Sequence, residues 1–356
     1  MKGVVFAAGL GKRLKPLTLS RPKHLLPIAG KPILKRVLES LLSNNIREIG
    51  VVVSYMKELI MSNVSSYNLD IKIDWIIQEE PRGTGQALQV CEEYLKDEDY
   101  FIVTYGDITL NHKVVKEMLT FFSKNKCDGV VEGVLVDDTS RFGRIISRNG
   151  LLEMIEEKSS SGSGMVNSGL YILPREALDV AKEIKPSSRG EYELTDILNI
   201  LASRGYKILI HSYYNPYQDI PTRSWWIDIG SPRDYLKANI VVFTEEFGNE
   251  IVCGSEVDSS IHIRPPSLIN ENVKIGGDSI IGPHVFIMED VEISPNSMIE
   301  NSILLEGCKV GSKTIIRNTI LGEYTEVGEE VYIEGGEDVL VVTPHTVISD
   351  KTVLKR

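Results

Sequence analysis

Two glycines and two cations near the amino terminus are the residues of this chain best suited to binding phosphate. Gly9 and Gly11 follow a short apolar strand, and Arg13 and Lys23 follow them in the segment KGVVFAAGLGKRLKPLTLSRPKHLLP. Glycine lets backbone N–H groups approach an anion closely, and guanidinium and ammonium groups pair with phosphate oxygens. The first 38 residues contain nine Lys and Arg and no Asp or Glu, although the formal net charge of the chain is −11. The segment therefore predicts a polyphosphate-binding loop.

Other interpretations of this basic segment fit less well. A solvated basic face is the ordinary alternative, but the strand–glycine–basic order and the stiffening residues Pro22 and Pro27 favour binding. A P-loop requires GK[ST], where this chain has GKR, and a dinucleotide fingerprint requires a third glycine in place of Leu14. The apolar stretch Gly3–Leu10 is too short, and its flanks are wrong, for a signal peptide.

The segment QEEPRGTGQAL could recognise a nucleobase. Gln78 offers one acceptor and two donors. Gly83 and Gly85 allow close backbone approach near a helix start, where the helix dipole favours phosphate. Taken alone, the segment is equally compatible with an ordinary turn before a helix.

Two aspartates near predicted strand ends are candidate metal ligands. Asp107 stands in FIVTYGDITL and Asp228 in WWIDIGSPRDY. Mg²⁺ takes few protein carboxylates and completes its octahedron with water and phosphate oxygens. These two residues can share a metal only if the fold brings them to one cleft.

The pattern G-x-G-x-R-L-x-P-L-T-x-x-x-P-K resembles the sugar nucleotidyltransferases, which couple a nucleoside triphosphate to a sugar-1-phosphate. The resemblance covers nearly the whole chain, and the length and tail are most similar to the long form of the glucose-1-phosphate thymidylyltransferases. It implies in-line attack of a sugar-phosphate oxygen on the α-phosphorus with release of pyrophosphate. Catalysis would then consist of positioning and charge neutralisation.

The resemblance also implies a role for each candidate residue. The catalytic residues would be Arg13, on the leaving pyrophosphate, and Lys23, near the α-phosphate, while Asp107 and Asp228 would hold Mg²⁺. Residues that bind the nucleotide would be Ala8, Gly9, Gly11, Gln78 and Gly83. Residues that bind the sugar and its phosphate would be Gly143, Glu157, Lys158 and Asn167.

Three departures from the family pattern leave the substrates open. Lys12 stands where most members have Thr, His24 where thymidylyltransferases often have Gln, and Ser159 where Pro usually follows the lysine. We expect dTTP or UTP with glucose-1-phosphate. Mannose-1-phosphate guanylyltransferase is one alternative, and a non-catalytic regulatory or scaffolding relative is another.

The composition excludes several other classes of protein. The 356 residues, 42% hydrophobic and 25% charged, suggest two soluble domains. We expect no membrane span, since no run of 18 apolar residues occurs. Nor do we expect a nucleic-acid partner, because the chain is acidic. The four scattered cysteines fit a reducing cytoplasm and suggest neither a zinc site nor disulfides.

Strand-like and helical segments alternate through the first two-thirds of the chain. This pattern predicts an α/β fold with a mostly parallel sheet covered by helices, and a ligand beyond the carboxyl ends of the strands. The predicted strands are Val4–Ala7, Ile49–Ser54, Ile71–Ile77, Phe101–Thr104, Val130–Val136, Ser168–Leu173 and Tyr206–Ser212. The predicted helices include Pro32–Asn44, Gln86–Lys96, Val114–Lys124 and Tyr192–Ser203.

A sixfold repeat of aliphatic residues begins near residue 250. Its members are Ile269, Ile275, Ile281, Ile287, Ile293, Ile299 and Leu305. Hexapeptide repeats are typical of a left-handed parallel β-helix, here of roughly three to four coils. The domains would span 1–245, the catalytic domain, and 250–356, the β-helix. Exposed strand edges predict a homo-oligomer, with assembly as the main role of the tail.

Overall fold

The computed structural model describes residues 1–157, 161–213 and 226–356. They form two compact units: Met1–Gly9 with Ile33–Ile227, and Leu10–Pro32 with Asp228–Arg356. The domain boundaries predicted from the sequence, 1–245 and 250–356, remain a proposal. Within the described ranges, no helix has the length and apolar character needed to cross a membrane.

Strands and helices alternate up to the start of the tail, as the hydrophobic pattern predicts. The strands are β1 Gly3–Ala7, β2 Pro27–Ile28, β3 Lys31–Pro32, β4 Glu48–Val53, β5 Lys72–Ile77, β6 Tyr100–Tyr105, β7 Gly129–Val136, β8 Gly143–Arg148, β9 Leu151–Glu157, β10 Gly164–Pro174 and β11 Ile208–His211. The α-helices are α1 Ile33–Leu42, α2 Lys57–Ser65, α3 Thr84–Gln89, α4 Glu92–Leu95, α5 His112–Lys124, α6 Glu176–Glu183, α7 Leu194–Ser203 and α8 Pro232–Phe247.

The first unit is built on one mixed sheet in the order β5-β4-β1-β6-β10-β7-β11-β9-β8. Strands β5, β4, β1 and β6 pair in parallel, as do β7 and β11. Strand β10 runs antiparallel to β6 and β7, and β8 forms an antiparallel hairpin with β9 that the sequence did not predict. The core packs the sheet against helices such as α6 and α7. The predicted α/β fold is confirmed.

Helix α8 lies near the start of the Asp228–Arg356 part of the second unit, and local residues define where it begins and ends. The Ser231 hydroxyl caps its first turn by accepting a hydrogen bond from the Asp234 N–H, and Pro232 occupies a first-turn position. The helix ends at Gly248, whose φ of 73° is favourable for glycine. Its buried face carries Tyr235 and Asn239.

The tail folds as the predicted left-handed parallel β-helix, with three parallel sheets of six, six and five strands. These strands are β12 Ile251–Cys253, β13 His262–Ile263, β14 Ser267–Ile269, β15 Lys274–Ile275, β16 Ile280–Ile281, β17 Val285–Ile287, β18 Glu292–Ile293, β19 Met298–Glu300, β20 Ser302–Leu304, β21 Lys309–Val310, β22 Ile315–Arg317, β23 Thr319–Leu321, β24 Glu326–Val327, β25 Tyr332–Glu334, β26 Leu340–Val342, β27 Val347–Ile348 and β28 Val353–Lys355. The aliphatic residues of the repeat up to Ile299 pack in its interior, and Leu304 takes the interior place predicted for Leu305.

The expectation of three to four coils is wrong, because the strands stack to the end of the chain. Ser267 pairs with Val285, and Val285 with Ser302, so one coil has 18 residues and the next has 17. The residue that the shorter coil lacks is lost at a corner of the β-helix, where Asn301 has a φ of 44°. A corner absorbs the lost residue while the interior stacking continues, so the interruption of the repeat does not end the β-helix.

Candidate active site

The glycine turn of the second unit is closely packed. Gly11 has a φ of 60°, and a Cβ at this position would lie 3.0 Å from Thr18 Cγ2 and 3.1 Å from Lys23 Cβ. The Thr18 hydroxyl donates a hydrogen bond to the Gly11 carbonyl at 2.9 Å. Both the backbone conformation and the space therefore favour glycine at residue 11. Ala8 and Gly9, which belong to the first unit, follow the carboxyl end of β1.

The second unit brings both predicted catalytic cations to one predicted metal ligand. Arg13 Nη2 lies 3.6 Å from Asp228 Oδ2, and Lys23 Nζ lies 4.0 Å from Asp228 Oδ1. The Lys23 side chain is 6% exposed, whereas that of Arg13 is 64% exposed. Arg13 can therefore reach toward a ligand in solvent, while Lys23 is held in place by its surroundings.

Asp107 lies in the first unit, in the turn after β6. The preceding Gly106 donates its N–H to the Phe6 carbonyl at 2.9 Å, and a Cβ there would lie 3.0 Å from the same oxygen. The hydroxyl of Thr109, two residues after Asp107, accepts a hydrogen bond from the Ile227 N–H at 2.8 Å. No cluster of three or more His, Cys, Asp or Glu side chains suited to a metal occurs within the described ranges. A magnesium site with few carboxylates remains a prediction for Asp107 and Asp228.

The side-chain amide of Gln78 is held in one orientation in the first unit. Gln86 Oε1 accepts a hydrogen bond from the Arg82 backbone N–H at 3.0 Å, which identifies this atom as an oxygen. Gln78 Nε2 donates to the same oxygen at 2.8 Å and to the Gly83 carbonyl at 3.2 Å. Both protons of the Gln78 amide are thereby used, so the carbonyl oxygen is the one polar atom of this buried side chain that these bonds do not use.

The loop behind Gln78 packs against the RGEYELTDIL motif, residues Arg189–Leu198. The Tyr192 carbonyl accepts a hydrogen bond from the Gly85 N–H at 2.7 Å, and the Tyr192 N–H donates to the Arg82 carbonyl at 2.7 Å. A Cβ at Gly83, where φ is 113°, would lie 2.4 Å from the Tyr192 carbonyl oxygen. The motif therefore has an architectural role, because it holds the loop that carries Gly83 and Gly85.

We expect Gly83→Ala to destabilise the protein more than Gly150→Ala. Both glycines have positive φ, but nothing lies within 4 Å of a Cβ at Gly150. Gly150→Ala should therefore show only the backbone strain, about 1–3 kcal/mol. Gly83→Ala should lower the free energy of unfolding by about a further 1–3 kcal/mol, since an added methyl group meets backbone. Denaturant unfolding measures both values, and equal losses would contradict the close packing at Gly83.

Three predicted sugar-binding residues lie together in the first unit. Gly143 pairs with Glu157 between β8 and β9. A Cβ at Gly143 would lie 2.9 Å from Glu157 Oε1 and 3.0 Å from Asn167 Nδ2. A side chain at residue 143 would therefore displace Glu157 and Asn167, so glycine keeps these two groups close together. Lys158, predicted to bind the sugar phosphate, lies outside the described residues.

Asn167 and Glu157 present complementary groups. Asn167 Oδ1 accepts hydrogen bonds from the Gly169 N–H, at 3.0 Å, and from the Tyr171 hydroxyl. The backbone donor identifies this atom as oxygen, so Asn167 Nδ2 is the group on the side of Glu157. A carboxylate that accepts and an amide that donates can together bind neighbouring hydroxyl groups of a sugar.

Sequence reasoning missed two residues that contact Glu157. The Thr195 hydroxyl donates to Glu157 Oε1 at 3.0 Å, and Arg189 Nη2 lies 3.5 Å from Glu157 Oε2. Both residues belong to the RGEYELTDIL motif, whose polar residues were the available signal. Burial raises the pKa of Tyr171, which contacts Asn167, and of Tyr105, whose hydroxyl lies 3.2 Å from that of Tyr171, so both phenols stay neutral.

Comparison with known proteins identifies the family. The nucleotidyl transferase model matches residues 2–244, and the GMPPB C-terminal domain model matches residues 263–356. The chain is 31% identical over 334 residues to the "Bifunctional protein GlmU" of Methanococcus maripaludis strain C5, covering 87% of this chain and 74% of that protein. It is 28% identical over 283 residues to a "Putative mannose-1-phosphate guanyltransferase" of Sulfolobus acidocaldarius, covering 79% and 74%.

A solved structure agrees with these relatives. The crystal structure of a "Putative Glucose-1-Phosphate Thymidylyltransferase" from Bacillus anthracis in complex with a sucrose is 29% identical, with a TM-score of 0.59. The match covers 68% of this chain and 94% of that one. The resemblance to sugar nucleotidyltransferases is thus confirmed. Since the family model spans more than half of its residues, the chain belongs to the nucleotidyl transferase family and is a sugar-phosphate nucleotidyltransferase.

Proposed function

We propose that this enzyme couples dTTP or UTP to glucose-1-phosphate and releases pyrophosphate in a Mg²⁺-dependent in-line displacement. The observation that carries the proposal is the fixed amide of Gln78, which leaves an acceptor for the base. Thymine and uracil present an imino N–H on the edge that such an acceptor reads. Adenine and cytosine present an accepting nitrogen at that ring position, so the Gln78 acceptor could pair only with their exocyclic amino group, in a shifted position of the base.

The remaining candidate residues support the transfer chemistry. Arg13 can follow charge onto the leaving pyrophosphate, and Lys23 can neutralise charge at the α-phosphate. The attacking group is an oxygen of the sugar phosphate, so the protein needs no nucleophile of its own. Glu157 and Asn167 would orient the sugar through its hydroxyl groups.

Asp107 and Asp228 would hold Mg²⁺ between the phosphates and the protein. Carboxylate oxygens are the ligands that this ion prefers, and the ion supplies charge neutralisation during transfer. Asp107 stands in the sequence YGD and Asp228 in WIDIG, the two positions that the resemblance to sugar nucleotidyltransferases assigns to the metal.

Mannose-1-phosphate guanylyltransferase is the second candidate. Guanine also carries an imino N–H, so it satisfies the acceptor of Gln78. The match of the tail to the GMPPB C-terminal domain and the relative from Sulfolobus acidocaldarius favour this candidate. Retention of Arg13, Lys23, Asp107 and Asp228 favours either activity over a non-catalytic scaffold.

Pyrophosphate release across a panel of nucleoside triphosphates and sugar-1-phosphates tests the proposal. We expect the highest kcat/KM for dTTP or UTP with glucose-1-phosphate. A preference for GTP with mannose-1-phosphate would replace this proposal with the second candidate. A preference for ATP or CTP would contradict the role given to Gln78.

We expect Gln86→Met to reduce the preference for the correct base. Without Gln86 Oε1 the Gln78 amide can rotate and offer either a donor or an acceptor. The ratio of kcat/KM between the preferred triphosphate and CTP should fall by about 10-fold, the equivalent of one hydrogen bond. Gln89→Met is the matched control, because Gln89 lies on the same helix and binds the Ala181 carbonyl instead. An unchanged ratio in Gln86→Met would show that base selection lies elsewhere.

Homo-oligomer formation and a cytoplasmic location remain proposals. The exposed edges of a parallel β-helix are the physical ground for the first. Light scattering on the full chain measures the oligomeric state, and a monomer at working concentration would remove the assembly role of the tail.

A further inference from the structure

One cation of the phosphate-binding loop faces the β-helix instead of a substrate. Arg21 lies between Arg13 and Lys23 in the segment Leu10–Pro32, and its side chain is 15% exposed, compared with 64% for Arg13. Its Nη1 and Nη2 donate to Glu306 Oε1 and Oε2 at 3.0 and 2.8 Å. Such paired hydrogen bonds define direction as well as charge. Arg21 is therefore oriented by the tail and is not available to phosphate.

A second carboxylate of the tail completes this contact. Glu323 forms an ion pair with Nη2 of Arg21, and its side chain is 9% exposed. Glu306 follows β20 and Glu323 follows β23, two strands that stack directly on each other. Their carboxylates thus stand one above the other in successive coils, about 4.8 Å apart by the usual strand spacing. Two like charges placed in this way repel each other unless a cation lies between them, and Arg21 supplies that cation.

The same loop is held at its far end by other residues of the second unit. The Tyr235 hydroxyl donates to the Pro27 carbonyl at 2.7 Å, and Asn239 Oδ1 accepts from the Ala29 N–H at 2.9 Å. A Cβ at Gly30 would lie 3.1 Å from Leu268 in β14 of the β-helix. The segment that carries Lys23 is therefore fixed on both sides, by Arg21 before it and by the contacts of Pro27, Ala29 and Gly30 after it.

We propose that Glu306 and Glu323 are positioning residues for nucleotidyl transfer, acting through Arg21 on the loop that carries Arg13 and Lys23. The β-helix then contributes to turnover directly, in addition to any role in assembly. The inference rests on the proposed roles of Arg13 and Lys23. Its physical basis is that a displacement of about 1 Å in a catalytic group can reduce the rate by about 10²-fold.

We call the contact of Arg21 with Glu306 and Glu323 the clamp. The test uses full-length variants that change the clamp but not the catalytic residues. In Glu306→Gln with Glu323→Gln, Arg21 loses both charged partners. Adding Arg21→Met to this pair also removes the buried cation, and replacement of a whole buried ion cluster is often neutral for stability. We expect kcat to fall by about 10- to 100-fold in the double and triple variants, with a smaller change in KM. The kcat of Arg21→Lys should lie between that of these variants and that of the wild type, because lysine retains the charge but cannot form the paired hydrogen bonds.

Glu300→Gln is the matched control. Glu300 pairs with Arg317 at 2.8 Å on a neighbouring coil, so the variant breaks an ion pair of the same β-helix without touching the loop. Its kcat should stay within about twofold of the wild type. Hydrogen exchange of peptides from residues 10–32 supplies a readout that does not depend on turnover. Exchange should accelerate in the double and triple variants and stay unchanged in Glu300→Gln.

Each outcome of this experiment decides one point. Unchanged exchange of residues 10–32, or an equal loss of kcat in Glu300→Gln, would overturn the positioning role. Normal kcat in a triple variant whose loop exchanges faster would overturn it as well. Absence of turnover by the wild type with every substrate pair would contradict the proposed function, while the exchange data would still test the clamp.

Discussion

Asp107→Asn is expected to lower kcat by about 10²-fold or more, because a bound metal typically contributes several kcal/mol to transition-state stabilisation. Asparagine keeps the shape of the side chain and one carbonyl oxygen, but it loses the negative charge that attracts Mg²⁺. Asp228→Asn should give a comparable loss and should also remove the charge partner of Arg13 and Lys23. Steady-state pyrophosphate release measures kcat, and titration with Mg²⁺ in the presence of the triphosphate measures metal affinity.

Asp99→Asn provides the control for this experiment. Asp99 is an exposed acid at the opposite end of β6 from Asp107, so it changes the net charge equally without reaching the site. Its kcat should match that of the wild type. Near-normal turnover of the wild type in excess EDTA would contradict the metal assignment for both aspartates.

Arg13→Met is expected to lower kcat by about 10²- to 10³-fold, the usual loss when one preorganised donor to a developing charge is removed. Arg13→Lys should lower kcat by less, about 10-fold, because lysine keeps the charge and lacks only the planar guanidinium group. The affinity for the triphosphate should change less than kcat, since the charge on the leaving pyrophosphate grows only during the reaction. Steady-state kinetics combined with equilibrium binding of the triphosphate separates the two quantities.

Lys15→Met tests whether this effect is specific. Lys15 is an exposed cation in the same loop, so its removal changes the overall charge of the loop by the same amount. We expect kcat to stay within about twofold of the wild type, as for most exposed charges. A rise in KM alone in Arg13→Met would show that Arg13 only binds substrate.

Much of the fold could be predicted from local patterns. Alternation of buried strands and amphipathic helices indicated the α/β architecture, and the sixfold aliphatic repeat indicated the β-helix. The number of coils could not be predicted, because the aliphatic spacing of six residues is interrupted between Ile299 and Leu304 while the stacking continues. Turn geometry at corner residues absorbs such an interruption, and hydrophobic spacing alone does not record it. The β8–β9 hairpin was also missed, although it carries Gly143 and Glu157.

The sequence by itself determined which residues could do chemistry, since glycines, cations and acids stand in compact motifs whose spacing is local. Only the tertiary structure decided how they are held. The free acceptor of Gln78 depends on Gln86 and on a backbone N–H, and Glu157 meets Thr195 from another element. Arg21 looks like one more phosphate ligand in its basic segment, yet it pairs with Glu306, 285 residues away. Contacts over such distances form only when the chain has folded, and no local pattern of residues encodes them.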